Sequence, residues 1–247
     1  MNIEPILLTT VRVQTYQGGR HLTNATGFFF ERDERLFLVS SLHVFIDPLN
    51  DHHPDRLEIE LHIGEEHLSR SVFFSIPLFA NGLSIWHTCS DSGGDVDVAV
   101  IEINRAALPG DTVYRAFSPA HLPQPEAAIE VGDSLLVVGF PLGFQDCLHH
   151  LPVVRQAAIA SSFGLRFQGQ GYFLTDARTH RGTSGAPVVM RAAKEASSPG
   201  ELPWLLLGVH SARLDVGTRD LVLDEALGLN CAWYTDVLMA LTACPTR

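Results

Sequence analysis

The chain has 247 residues, 46% of them hydrophobic and only 18% charged, so it can bury a large core and disorder is not expected. Its formal net charge of −11 argues against nucleic acid as a partner, because binding phosphates requires clustered lysine and arginine side chains. No segment approaches the roughly 18 consecutive apolar residues that suggest a membrane span, so no membrane partner is expected.

The predicted strands are short and follow one another closely, which is typical of antiparallel sheets. The first set covers residues 7–15, 22–31, 36–40, 57–63, 71–76, 83–87 and 96–103. The second covers residues 134–139, 153–161, 172–175, 186–190, 205–210 and 229–233, before a predicted short helix at 234–242. The sequence therefore predicts an all-β chain in two halves, 1–103 and 129–247, joined by a linker at 104–128.

Four scattered cysteines, none in a C-x-x-C pair, indicate neither a zinc site nor a disulfide framework. The apolar run near the N-terminus is too short for a signal peptide and has no basic residue before it. We therefore expect a cytoplasmic protein with no metal and no cofactor.

Residues 181–189 read R-G-T-S-G-A-P-V-V and place Ser184 between two glycines ahead of an apolar strand. A nucleophilic serine needs such a tight turn, in which its hydroxyl is exposed and neighbouring N–H groups converge on one point. An ordinary turn before a strand would fit the same residues.

His43 and Asp97 each lie next to an apolar strand. His43 follows the predicted strand 36–40, and Asp97 heads the apolar run 98–101. A carboxylate beside so apolar a segment needs a hydrogen-bonded partner, and a histidine N–H is a suitable one. Asp95 is the rival acid, because strand alternation would put it on the same face as Asp97.

Together these segments resemble the chymotrypsin-like serine peptidases, and in particular the trypsin-like domains of the HtrA-like branch. That family has a T-G-F strand, a V-S-x-x-H-V segment, a D-h-A-h strand (h, apolar) and a G-x-S-G-x-P loop, which match residues 26–28, 39–44, 97–100 and 182–187 in order. The V-G-D at 131–133, the G-F-P-L-G at 139–143 and the T-D-A at 175–177 also match. The resemblance extends over residues 26–233 and implies one peptidase domain, 1–247, made of two six-stranded antiparallel barrels with a short C-terminal helix.

The resemblance implies that Ser184 is the nucleophile, His43 the general base and Asp97 the residue that orients the imidazole. The N–H groups of Gly182 and Ser184 would form the oxyanion hole. The order His, Asp, Ser differs from that of the α/β-hydrolases, in which the serine comes first. The resemblance thus implies a serine endopeptidase acting on protein or peptide substrates.

Thr183 departs from the digestive relatives, which have an aspartate there that pairs with a new N-terminus after zymogen cleavage. Activation by such cleavage is therefore not expected. Because no appended domain is apparent, the expected control is loop ordering or an activating partner protein.

The resemblance extends to glutamyl endopeptidases at the substrate pocket. Thr179, five residues before the serine, and His210, in a G-h-H motif, match two positions of that group. Arg178 and Arg213 would add positive charge, so we expect Glu, then Gln, on the acyl side of the scissile bond. The alternatives are that His210 simply packs in the barrel while the arginines face solvent, and that the whole chain is a catalytically silent scaffold that binds proteins.

Overall fold

The computed structural model describes residues 3–64, 66, 68–125, 127–192, 201–213 and 228–243, with the backbone alone at 212 and 213. Two large antiparallel sheets dominate this part of the chain, one from each half of the sequence. Both sheets curl, so the predicted all-β, chymotrypsin-like double-barrel fold is confirmed.

The first half contains a large sheet in the order β12-β4-β1-β2-β3-β11-β8, with β5 paired to β4, and two small hairpins, β6–β7 and β9–β10. The strands are β1 Thr10–Gln17, β2 Arg20–Arg32, β3 Arg35–Ser40, β4 Arg56–Ile63, β5 Ser71–Pro77, β6 Phe79–Ala80, β7 Leu83–Ser84, β8 Trp86–His87, β9 Ser90–Asp91, β10 Gly94–Asp95, β11 Ala99–Ile103 and β12 Thr112–Val113.

The second half forms a sheet in the order β14-β13-β16-β17-β18-β15. Its strands are β13 Ser134–Gly139, β14 Val153–Ala158, β15 Tyr172–Thr175, β16 Pro187–Arg191, β17 Trp204–Arg213 and β18 Asn230–Tyr234. The α-helices of the described residues are α1 Leu42–Phe45 and α2 Val237–Leu241, and 3₁₀ turns occur at Pro5–Thr9, Pro48–Asn50, Arg105–Ala107, Pro119–His121, Pro141–Gly143 and Phe167–Gly169.

Several sequence predictions need correction. The strand predicted from residue 7 begins only at Thr10, because the Pro5–Thr9 turn precedes it. The strand predicted at 96–103 begins at Ala99, so Asp97 lies in the connection from β10 to β11. The predicted linker includes β12, which pairs with β4. The first sheet has eight strands, whereas the resemblance implied a six-stranded barrel.

Three apolar clusters explain why the strands are so rich in large hydrophobic residues. One fills the first barrel and includes Phe29 and Leu38, and another fills the second and includes Val137 and Val188. The third lies between the barrels and contains Phe28 and Phe30 of β2 together with residues of the second half. Because successive side chains on a strand face opposite sides, both faces of β2 are buried, which accounts for its unbroken run of phenylalanines.

Within the described residues, no helix is both long and apolar enough to cross a membrane.

Candidate active site

His43 lies on the single turn of α1, directly after β3, and is fixed there by Asp97. Its backbone N–H donates to Asp97 Oδ1 at 2.9 Å, and its Nδ1 lies 2.8 Å from Asp97 Oδ2. Since an ionised carboxylate can only accept, Nδ1 carries the proton and Nε2 is left with a lone pair. The flanking Val96 and Val98 are buried and hold Asp97 in place. Asp95, the rival acid, is exposed on β10.

Ser211, on β17, is a site residue that the sequence reasoning missed. Its Oγ donates a hydrogen bond to Asp97 Oδ2, the same oxygen that faces His43. The only signal in the sequence is a serine within an otherwise apolar strand, directly after His210. Its hydroxyl therefore helps to hold Asp97 in the position that faces His43.

Ser184 lies in a turn that requires glycine on both sides. Gly182 and Gly185 have φ angles of +90° and +85°, a region that other residues rarely adopt. A Cβ at Gly182 would approach Phe140 O to 2.6 Å, so the site also lacks space for a side chain.

Thr26, in β2, ties this turn to the first barrel. Its N–H donates to Ser184 O at 2.9 Å, and its hydroxyl donates to Gly182 O at 2.7 Å. The same hydroxyl accepts a hydrogen bond from Phe140 N at 3.1 Å. The threonine of the T-G-F segment therefore positions the turn that carries Ser184 against the first barrel.

The backbone N–H groups of Gly182 and Ser184 point to no acceptor within the described part of the chain. Unengaged N–H donors on the serine and on the residue two positions before it are what an oxyanion hole requires. Thr183 between them is 3% exposed, and its Oγ1 has no hydrogen-bond partner among the described residues.

His43 and Ser184 line the same cleft, which has a volume of about 650 Å³. The Ser184 hydroxyl makes no hydrogen bond to a described residue, His43 included. In ligand-free enzymes the bond between nucleophile and base is often long and tightens when substrate binds. The cleft also contains Asp47, Leu142 and Arg181.

The pKa of His43 is raised above its ordinary value of 6.5. Burial is the largest single influence and lowers the pKa, but the hydrogen bond and charge of Asp97, with the charge of Asp47, together outweigh it. The site thus stabilises the imidazolium that forms when His43 accepts a proton.

The predicted pocket residues are only partly brought together. Thr179 and His210 are both buried, and Thr179 Oγ1 donates to Asn230 Oδ1 at 2.6 Å. Arg178 is exposed. The side chain of Arg213 lies outside the described residues.

Comparison with known families shows that the chain belongs to the trypsin-like peptidase domain family, whose model matches residues 25–195. That segment contains His43, Asp97 and Ser184. The serine endoprotease from Yersinia pestis is among the solved structures with a similar fold, with a TM-score of 0.53 and 16% sequence identity. The match covers 96% of this chain but 62% of that protein, so the chain spans less than two thirds of its relative. Comparison with curated proteins gave no match.

Proposed function

We propose that the chain is a serine endopeptidase with Ser184 as nucleophile, His43 as general base and Asp97 as the orienting acid. The observation that carries the proposal is the pair of hydrogen bonds from His43 to Asp97, which direct the free Nε2 of His43 into the cleft that Ser184 lines. Membership of the trypsin-like family supports the same assignment.

In this mechanism Ser184 Oγ attacks the scissile carbonyl while His43 Nε2 takes its proton. The carbonyl oxygen becomes an oxyanion that accepts from the N–H groups of Gly182 and Ser184. His43 then gives its proton to the leaving amine, and a water molecule hydrolyses the acyl-enzyme by the same route. Asp97 stays ionised throughout and stabilises the imidazolium.

Labelling with a fluorophosphonate probe tests this proposal against a silent scaffold that only binds proteins. The probe reacts only with an activated serine, so the wild-type protein is expected to be labelled once, at Ser184. An unlabelled, folded wild-type protein would favour the scaffold.

Peptidase activity is expected to rise with pH, because only neutral His43 can accept the serine proton. Since the pKa of His43 is raised, the midpoint of kcat/KM should lie above 6.5. Asp47→Asn removes one of the charges that raise this pKa and should move the midpoint to lower pH. Asp51→Asn, an exposed change on the same loop, is the matched control and should leave it in place. Identical profiles for both variants would contradict this role of Asp47.

We propose further that cleavage favours Glu, and secondarily Gln, on the acyl side of the scissile bond. His210 is the main candidate donor, since the Thr179 proton is directed at Asn230. The segment 178–181 contains no acidic residue, which disfavours basic substrates. A hydrogen bond from a pocket side chain to a charged substrate group contributes about 1.5–3 kcal/mol, which corresponds to roughly tenfold to a hundredfold discrimination.

Profiling a peptide library with wild-type protein and with His210→Ala tests this specificity. We expect the variant to lose the preference for Glu more than it loses cleavage of poor substrates, whereas His53→Ala should retain the preference. A dominant aliphatic or basic residue at the new C-termini would refute the pocket assignment and leave the triad unaffected.

A further inference from the structure

Glu60 is a buried carboxylate outside the cleft that His43 and Ser184 line. It lies on β4 between Ile59 and Leu61, whose side chains fill the first barrel, so Glu60 points to the outer face. That face would normally meet solvent, yet Glu60 is only 4% exposed. The cover comes from the segment 144–151, which belongs to the connection between β13 and β14 of the second barrel.

Four side chains donate to the Glu60 carboxylate. Arg12 Nη2 lies 2.8 Å from Oε2, and Ser71 Oγ lies 2.7 Å from Oε1. The other two come from the covering segment: His150 Nδ1 bonds Oε1, and Gln145 Nε2 lies 3.4 Å from Oε2. A buried carboxylate needs such partners, because its desolvation is costly. Burial would raise the pKa of Glu60, but its hydrogen bonds from Ser71 and His150 and the positive charge of Arg12 lower it overall, so the group stays ionised.

The same segment is fastened at two further points. His62 Nε2, two residues along β4 and on the same face as Glu60, donates to His149 O at 2.6 Å. Leu151 packs on an apolar cluster that contains Leu8 and Val113. Residues 145–151 are thus a docked arm of the second barrel on the first.

The other end of this connection touches the oxyanion segment. Leu142 N–H donates to Arg181 O at 2.5 Å, and Gly182 packs directly on the backbone of Phe140 and Leu142. Only two residues separate Leu142 from Gln145, the first contact with Glu60. A short chain segment can move little when it is fixed at both ends, so docking of the arm restricts the backbone that supports Gly182.

We propose that Glu60 is a positioning residue for the oxyanion hole, which it acts on by docking the arm 145–151. The inference rests on the proposed peptidase function and deepens it. Loss of the Glu60 charge would leave Thr179 and His210 of the proposed substrate pocket in place. It would misplace the N–H group of Gly182, one of the two oxyanion donors. Because that donor acts mainly in the transition state, the loss should appear in kcat and not in KM.

Glu60→Gln tests the proposal, with Glu58→Gln as the matched control. Glu58 lies on the same strand and face, and pairs with Arg56 without touching the arm. Complete removal of an oxyanion donor costs about 10²–10³ in kcat, so partial misplacement should cost about tenfold. We expect that loss in Glu60→Gln with KM within about twofold of wild type, and both constants within about twofold in Glu58→Gln.

Thermal melting shows whether each variant is folded at the assay temperature. If Glu60→Gln is not folded, the His150→Ala variant is used to test the proposal. His150 lies on the arm itself and is partly exposed, so its replacement should disturb folding less. A several-fold fall in kcat at unchanged KM supports the proposal. An unchanged kcat, or a rise in KM alone, overturns it.

The fluorophosphonate label separates this failure from that of the proposed function. A folded wild-type protein that is neither labelled nor active overturns the peptidase assignment, and this inference with it. A labelled wild-type protein with an unaffected, folded Glu60→Gln variant overturns the role of Glu60 alone.

Discussion

Replacing Ser184 with alanine is expected to abolish peptide hydrolysis, with kcat reduced roughly 10⁶-fold. The reason is that Ser184 is the only serine among the described residues that line the cleft with His43. Thermal stability should change by less than about 0.5 kcal/mol, because the Ser184 contact that anchors the turn is made by its backbone carbonyl.

Ser162→Ala, a change at an exposed serine, is the control for this substitution and should keep wild-type activity. Activity is measured on a peptide substrate and stability by thermal melting of the same preparations. Comparable turnover in purified Ser184→Ala would eliminate Ser184 as the nucleophile.

Gly182→Ala is expected to lower kcat by about 10²–10³, the cost of losing one oxyanion donor. A methyl group there would lie 2.6 Å from Phe140 O, so the peptide that carries the N–H must rotate or move. The φ angle of +90° adds a strain of about 1–3 kcal/mol, which lowers the melting temperature as well.

Gly164→Ala controls for the loss of a glycine, since its Cβ would meet nothing within 4 Å and its backbone needs no positive φ. It should leave activity and melting temperature nearly unchanged. A Gly182→Ala variant as active as Gly164→Ala would show that Gly182 is not an oxyanion donor.

The fold was predictable from sequence because each long strand is a distinct apolar or alternating segment bounded by turn residues. Short elements were not: α1 has only four residues, too few for helical periodicity, so His43 was expected directly after a strand and not on a helical turn. The start of β11 at Ala99 was missed for a similar reason. The buried valines on either side of Asp97 continue the apolar sequence of that strand, so the predicted strand began too early.

The sequence does not show which residues from distant parts of the chain come into contact. Ser211 and Asp97 are 114 residues apart, and His150 and Glu60 are 90 residues apart. Single serines and histidines of this kind are common, and only folding brings each pair together. Thus the sequence predicted the triad through its motifs, whereas the residues that support the triad became visible only in three dimensions.

The hydrogen bonds that tie the Ser184 turn to Thr26 have a consequence for the biosynthesis of the protein. His43, Asp97 and the Thr26 anchor emerge from the ribosome before Ser184 has been synthesised. In a nascent chain the proposed base therefore precedes the proposed nucleophile, and the hydrogen bonds from Thr26 to the turn form only when the second half docks on the first. Under the proposed function, peptidase activity therefore requires both halves of the chain to be folded against each other.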